Sequence, residues 1–196
     1  MFFAASLFAG ACMVSCNSSD DLSIPVPAGG ITIPLGASAQ STTDASTSEY
    51  QLYSDPITLE MSTITGLLGG DLDSYLKTGQ NFIKNYTANE VNLTCGCLTL
   101  GSGDYHVSNL TITATCQGAT LATFNYPGQI NFTDAVNSSD LVSFASQVLT
   151  KIVLSNSVTF TITGTTNAPM LSLLWFKINV DKGSLNVTTP LTNTGS

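Results

Sequence analysis

The chain has no arginine, a single histidine and a single tryptophan, and only 9% of its 196 residues are charged. An average soluble domain carries about 25% charged residues, so polarity here rests on Ser, Thr and Asn. Five lysines against thirteen acids give a net charge of −8. That balance leaves no basic footprint and argues against nucleic acid and anionic membrane surfaces as partners. One histidine cannot build a polyhistidine metal site. A Gly-x-x-x-x-Gly-Lys phosphate loop and a Gly-x-Ser-x-Gly nucleophile elbow are both missing. Hydrophobic residues nonetheless make up 43% of the chain, enough for a packed core.

Residues 1–15, MFFAASLFAGACMVS, are apolar and small. The run is shorter than the ~20 residues that span a bilayer and reads as a signal peptide. The first lysine is Lys77, so the leader lacks the usual positive end. Met13-Val14-Ser15-Cys16 places a small residue before a cysteine, and polar Asn17-Ser18-Ser19-Asp20-Asp21 follows. This Cys16-to-Asp21 run resembles the start of surface lipoproteins of the Bacteroidetes group. The resemblance covers about 20 residues. It implies a lipid anchor on Cys16, export to the outer membrane and exposure at the cell surface; a periplasmic or secreted protein is the alternative.

Residues 16–48 are rich in Ser, Thr, Pro, Gly and Ala, a composition that favours a tether. Within it, Ile31-Thr32-Ile33 reads as a short edge strand, with Pro34 tolerated at its end. A single β-rich domain is expected over 49–196. Ile57, Leu59 and Met61 alternate with polar residues as in a half-buried strand. Asp71 to Asn85 predicts an amphipathic helix through Leu72, Tyr75, Leu76, Phe82 and Ile83. Strands at Glu90–Leu100 and His106–Cys116 read as a hairpin joined through Gly101-Ser102-Gly103-Asp104. A strand at Ala119–Phe124 precedes a loop at Asn125-Tyr126-Pro127-Gly128, and Ile130–Phe132 is a short strand. Asp140–Leu154 predicts a second helix. Strands then follow at Ser157–Thr165 and Met170–Val180, with a turn at Asp181-Lys182-Gly183 leading to Leu185–Thr189. The two helices open alike, Asp71-Leu72 and Asp140-Leu141, which suggests a strand–helix–strand–strand duplication over 56–117 and 119–189. The fold class expected is α+β and β-rich: an antiparallel β-sandwich-like domain carrying two helices.

Cys95, Cys97 and Cys116 fall on dry strand faces, where cysteine acts as a small hydrophobe. A metal site would need His106 as fourth ligand, far along the strand from Cys116, so neither metal nor cofactor is expected. His106 beside Asp104 and Tyr105, with Ser102 or Ser108 as nucleophile, is a weak catalytic reading. So are the scattered acids Asp71, Asp73, Glu60 and Glu90. Trp175 sits in an apolar run and reads as core. Tyr126, Tyr105, Tyr50 and Tyr53 are the candidate ligand-binding residues, Tyr126 foremost. Triplets of glycosylation type at Asn85, Asn92, Asn109, Asn131, Asn137 and Asn186 read as polar strand exteriors in a bacterial protein.

The function expected is a non-catalytic binding, adhesion or envelope structural module, with a glycan or a surface protein as partner. A carrier of an apolar ligand or lipid, with Leu72, Phe82, Phe144 and Val148 around a cavity, is the alternative. A hydrolase using scattered carboxylates is the second.

Overall fold

The computed structural model describes residues 21–25, 30–41, 48–60, 62, 82–98, 103–154 and 156–188. Ten strands and a helix follow in chain order: β1 (Asp21–Pro25), β2 (Ile31–Gln40), β3 (Tyr50–Tyr53), β4 (Ile57–Leu59), β5 (Phe82–Cys97), β6 (His106–Cys116), β7 (Ala119–Asn131), β8 (Ala135–Val136), α1 (Ser139–Val153), β9 (Val158–Thr166) and β10 (Leu173–Thr188). They form one nearly closed antiparallel sheet in the order β7-β6-β9-β3-β2-β10-β5-β8. β1 continues the line of β2 along β10, and β4 continues that of β3 along β9.

Strict alternation gives the sheet one dry face. Ile31, Ile33 and Leu35 on β2, Val91, Leu93 and Cys95 on β5, and Leu174, Phe176, Ile178 and Val180 on β10 are all buried. Ile112, Phe124 and Phe160 extend the same core on β6, β7 and β9. α1 covers it. Its start is set by Ser138, whose Oγ accepts the Leu141 N–H at 3.1 Å, and Asp140 and Lys151 suit the two ends of the helix dipole. The stripe of Leu141, Phe144, Ala145, Val148, Leu149 and Ile152 is wholly buried.

The helix also closes an edge. β8 pairs with β5 only at Leu93 and Thr94, which leaves the backbone near Tyr86 to other partners. Thr150 Oγ1 accepts the Tyr86 N–H at 3.0 Å and donates to the Tyr86 carbonyl at 3.2 Å. Ser146 Oγ accepts the Ala88 N–H at 2.9 Å. Two hydroxyls thus stand in for a missing strand, since unpaired backbone groups in a buried seam are costly.

Several expectations need correction. The sheet is a single continuous one rather than a sandwich of two; of the two helices expected, the one at Asp140–Leu154 is present as α1. Phe82–Asn85, assigned to the first helix, begin β5, while residues 71–81 lie outside the described residues. β5 and β6 are not a hairpin: β5 lies between β10 and β8, and β6 between β7 and β9. Residues 125–128 continue β7 instead of forming a loop. Pro127 is accommodated there at a register shift in the outermost strand. Asp181-Lys182-Gly183 is an irregularity inside β10, not a turn. The tether expected over 16–48 contains β1 and β2, and β2 is an inner strand with buried isoleucines. A tight hairpin joins β6 to β7 through Gln117 (φ 51°) and Gly118 (φ 80°), two left-handed residues that match strand twist.

Candidate functional site

The sheet splits beside β2. β3 pairs with its Ser38–Gln40 end, while β4, after a break at Ser54-Asp55-Pro56, pairs only with β9. Ser54 bridges the break: its Oγ accepts the Ile162 N–H at 2.6 Å, so β9 keeps a partner where the ladder is interrupted. A cleft of about 300 Å³ opens at this split, walled by Gly36, Ala37, Tyr53, Ile57, Leu98 and Leu173, with Ser38, Ser54 and Asp55 as its polar members. The volume stands at the lower end of small-ligand sites.

The mouth of the cleft is apolar. Ser38 lies opposite both Tyr53 and Leu173, and the Leu98 N–H donates to the Leu173 carbonyl at 2.9 Å. Leu98, Leu173, Ser38 and Tyr53 therefore form one outward row across β5, β10, β2 and β3. Tyr53 and Leu173 are half exposed, and Leu98 is 70% exposed. The next row along the strands is Gly96, Trp175 and Gly36. A Cβ on Gly96 would lie 2.5 Å from the indole, so the ring rests on bare backbone. Lys177 Nζ stands 5.1 Å from the ring centroid. Trp175 is thus outward and only partly buried, which corrects its reading as core.

The candidate tyrosines are not brought together. Tyr53 lines the cleft. Tyr50 packs half-buried against the core, Tyr105 leans on Phe132 at 6.1 Å, and Tyr126 is a half-buried residue of β7. Cys16, Asp71, Asp73 and Ser102 lie outside the described residues. Glu90 pairs with exposed Lys182 at 2.7 Å, and Glu60 is exposed. Among the described residues no group of three His, Cys, Asp or Glu side chains could hold a metal ion. Cys95 is buried, and burial, with a smaller contribution from Asp134, pushes its thiol up to about 12. Cys97 and Cys116 are half-buried.

His106 takes part in a clamp. Its Nε2 lies 3.2 Å from Glu49 Oε1, and the Thr165 hydroxyl donates to Glu49 Oε2. The Thr165 hydrogen bond holds the Glu49 carboxyl below its ordinary value; burial opposes this and His106 adds to it. Thr166 Oγ1 donates to the His106 carbonyl at 2.6 Å, and Asn167 Oδ1 accepts the His106 N–H at 2.7 Å. The arrangement ties the segment before β3 to β6 and β9. A carboxyl lowered in the folded state and ordinary in the unfolded one stabilises above the ordinary range and ceases to as pH falls through the folded value. Stability is therefore expected to drop below about pH 4, and Glu49→Gln to flatten that limb in urea titrations at several pH values. An unchanged acid limb in the variant would show that Glu49 does not carry it.

No protein-family model matches the chain, and no curated protein matches it either. The cleft and its geometry must carry the functional reading.

Leu98, Leu171, Leu173 and Trp175 were not anticipated as surface residues. The signal lay in Leu174-Trp175-Phe176-Lys177-Ile178-Asn179-Val180-Asp181, where Trp175 shares the phase of Lys177, Asn179 and Asp181.

Proposed function

We propose that this chain is a non-catalytic binding module of the cell envelope, held at the outer-membrane surface by lipid on Cys16, which takes an apolar group of its partner into the cleft beside β2. The observation that carries the reading is the open cleft itself, rimmed by exposed Leu98, Leu173 and Tyr53. Exposed apolar side chains in one patch mark contact sites more often than scattered ones do. The leader and the Cys16 run support the anchor.

Three alternatives draw less support. A glycan partner would use Tyr53 with Ser38, Ser54 and Asp55, but a single aromatic side chain lines the cleft. The carrier reading placed Phe144 and Val148 on a cavity wall, and both are fully buried in the core. The acids of the hydrolase reading that lie among the described residues, Glu60 and Glu90, are exposed.

The test fills the cleft. Gly36 has room for a side chain, since its nearest neighbour beyond a built Cβ is the Leu174 carbonyl at 3.7 Å. Gly36→Val is expected to lower binding of a neutral naphthalene dye, read by fluorescence titration, at least ~10-fold, the equivalent of about 1.4 kcal/mol, with the unfolding midpoint unchanged. Equal binding by the variant would remove the cleft from the reading. Cys16→Ala is expected to remove the acyl groups from the chain, read as the loss of their mass in intact-protein mass spectrometry.

A further inference from the structure

Five of the six large hydrophobic side chains exposed among the described residues gather at one end of the sheet: Tyr53, Leu98, Met170, Leu171 and Leu173. Leu171 is the most exposed of them, at 75%, and its φ of 69° is a conformation that L side chains rarely adopt. The backbone holds it there. The Leu171 N–H donates to the Ala39 carbonyl at 2.8 Å, and the Ser172 N–H donates to the Pro169 carbonyl at 3.1 Å. Backbone held in such a conformation clusters at functional sites, which singles out this end of the sheet.

What covers this end is indicated by the order of residues behind it. Successive outward rows on β10 and its neighbours stand about 7 Å apart. The first is mainly apolar, with Leu98, Leu173 and Tyr53 and one polar member, Ser38. The second is Trp175 between two glycines. The third holds Lys177, between Pro34 and Thr94. The fourth is amide and hydroxyl, where Thr32 Oγ1 donates to Asn179 Oδ1, Asn179 to Asn92 and Asn92 to Asp181. Apolar tip, then an aromatic ring with a polar edge, then a lysine able to extend outward, then a fully polar ladder: this is the sequence of a surface seated in a lipid interface. A water-facing protein partner would not require that gradation. Residues 167–176 carry no charge. Asp55 on the cleft wall and a net charge of −8 disfavour anionic headgroups.

We propose that this end of the sheet seats on a zwitterionic lipid surface, with Leu171, Leu173 and Leu98 below the headgroups and Trp175 among them. The proposal rests on the cleft being a binding site, because the seat turns the mouth of the cleft toward the lipid.

Trp175 is the only tryptophan, so intrinsic emission reports this site alone. The full chain is mixed with phosphatidylcholine vesicles whose acyl chains are brominated. A blue shift and loss of most of the emission are expected, and Leu171→Ser with Leu173→Ser is expected to restore it. Both leucines are exposed, so the unfolding midpoint serves as the control for folding. An anchor at the N-terminus alone would leave Trp175 unquenched, and that result overturns the seat. Self-association in sedimentation that depends on the same two leucines, without quenching, also overturns it in favour of a second copy. Dye binding by the cleft in vesicle-free solution is read separately, so the seat can fail while the cleft reading stands.

Discussion

Phe144→Ala is expected to lower the free energy of unfolding by about 3–5 kcal/mol, the usual cost of deleting a buried phenylalanine ring. Phe144 is 1% exposed and stands between Phe124 at 6.3 Å and Phe160 at 6.5 Å. Those rings come from α1, β7 and β9, so one side chain couples the helix to two strands on the same side of the sheet. Tilted and edge-on ring pairs add to the area buried. A domain of this size is stable by about 5–15 kcal/mol, so the variant loses a large part of the total. Urea unfolding followed by far-ultraviolet circular dichroism measures the change. Phe144→Leu, which keeps most of the volume, is expected to cost clearly less. A loss under about 1 kcal/mol for Phe144→Ala would mean that the helix is not seated as described, because truncating a large buried side chain to alanine costs about 2 kcal/mol or more.

The helix that carries Phe144 was also the most legible element in the sequence. Leu141, Phe144, Ala145, Val148, Leu149 and Ile152 recur at three and four residues, and a stripe of that length has one physical explanation. The ends of β6, His106 and Cys116, were legible too, because alternation starts and stops there. Pairing was not. β5 finds its main partner in β10, where Val91 lies opposite Val180 and Cys95 opposite Phe176. Nothing local in either segment encodes that choice, which depends on the curvature of the whole sheet and on the helix beneath it. Phe82 and Ile83 matched helical spacing as well as strand alternation, an ambiguity that short apolar segments always carry.

The site was half legible for a related reason. Tyr53 was a candidate, and it lines the cleft. Trp175 reads as core because Leu171-Ser172-Leu173-Leu174-Trp175-Phe176 lies in the almost continuously apolar Met170–Val180. A strand with a dry inner face and a greasy outer face at one end reads like a strand buried on both sides. The phase that Trp175 shares with Lys177, Asn179 and Asp181 is the local sign of the outward face, and two glycines on the neighbouring strands give the ring its seat there. The two readings that follow from this end of the molecule are linked. A cleft that opens where the sheet splits and a leucine-rich rim around its mouth describe one surface, and the polar ladder of Thr32, Asn179 and Asn92 marks where that surface ends.

Thr150→Val is expected to destabilise the protein by about 2 kcal/mol, since each buried backbone group left without a partner costs about 1–3 kcal/mol and this seam is part-buried. Valine keeps the shape of threonine, so packing is spared and both the N–H and the carbonyl of Tyr86 lose their bonds to Oγ1. Ser146→Ala adds a smaller loss through the Ala88 N–H, partly because Ser146 also bonds the Val142 carbonyl within its own helix. Global stability alone would not identify the cause. Hydrogen exchange would, because the amides of Tyr86 and Ala88 should open faster than their neighbours in β5, beyond what the overall loss explains. The consequence reaches past stability: β5 freed along this stretch is an unpaired edge that invites another strand, so the double variant should aggregate at concentrations where the parent stays monomeric. Uniform exchange across β5 would show instead that the hydroxyls do not close the seam, and that apolar packing of α1 holds the edge by itself.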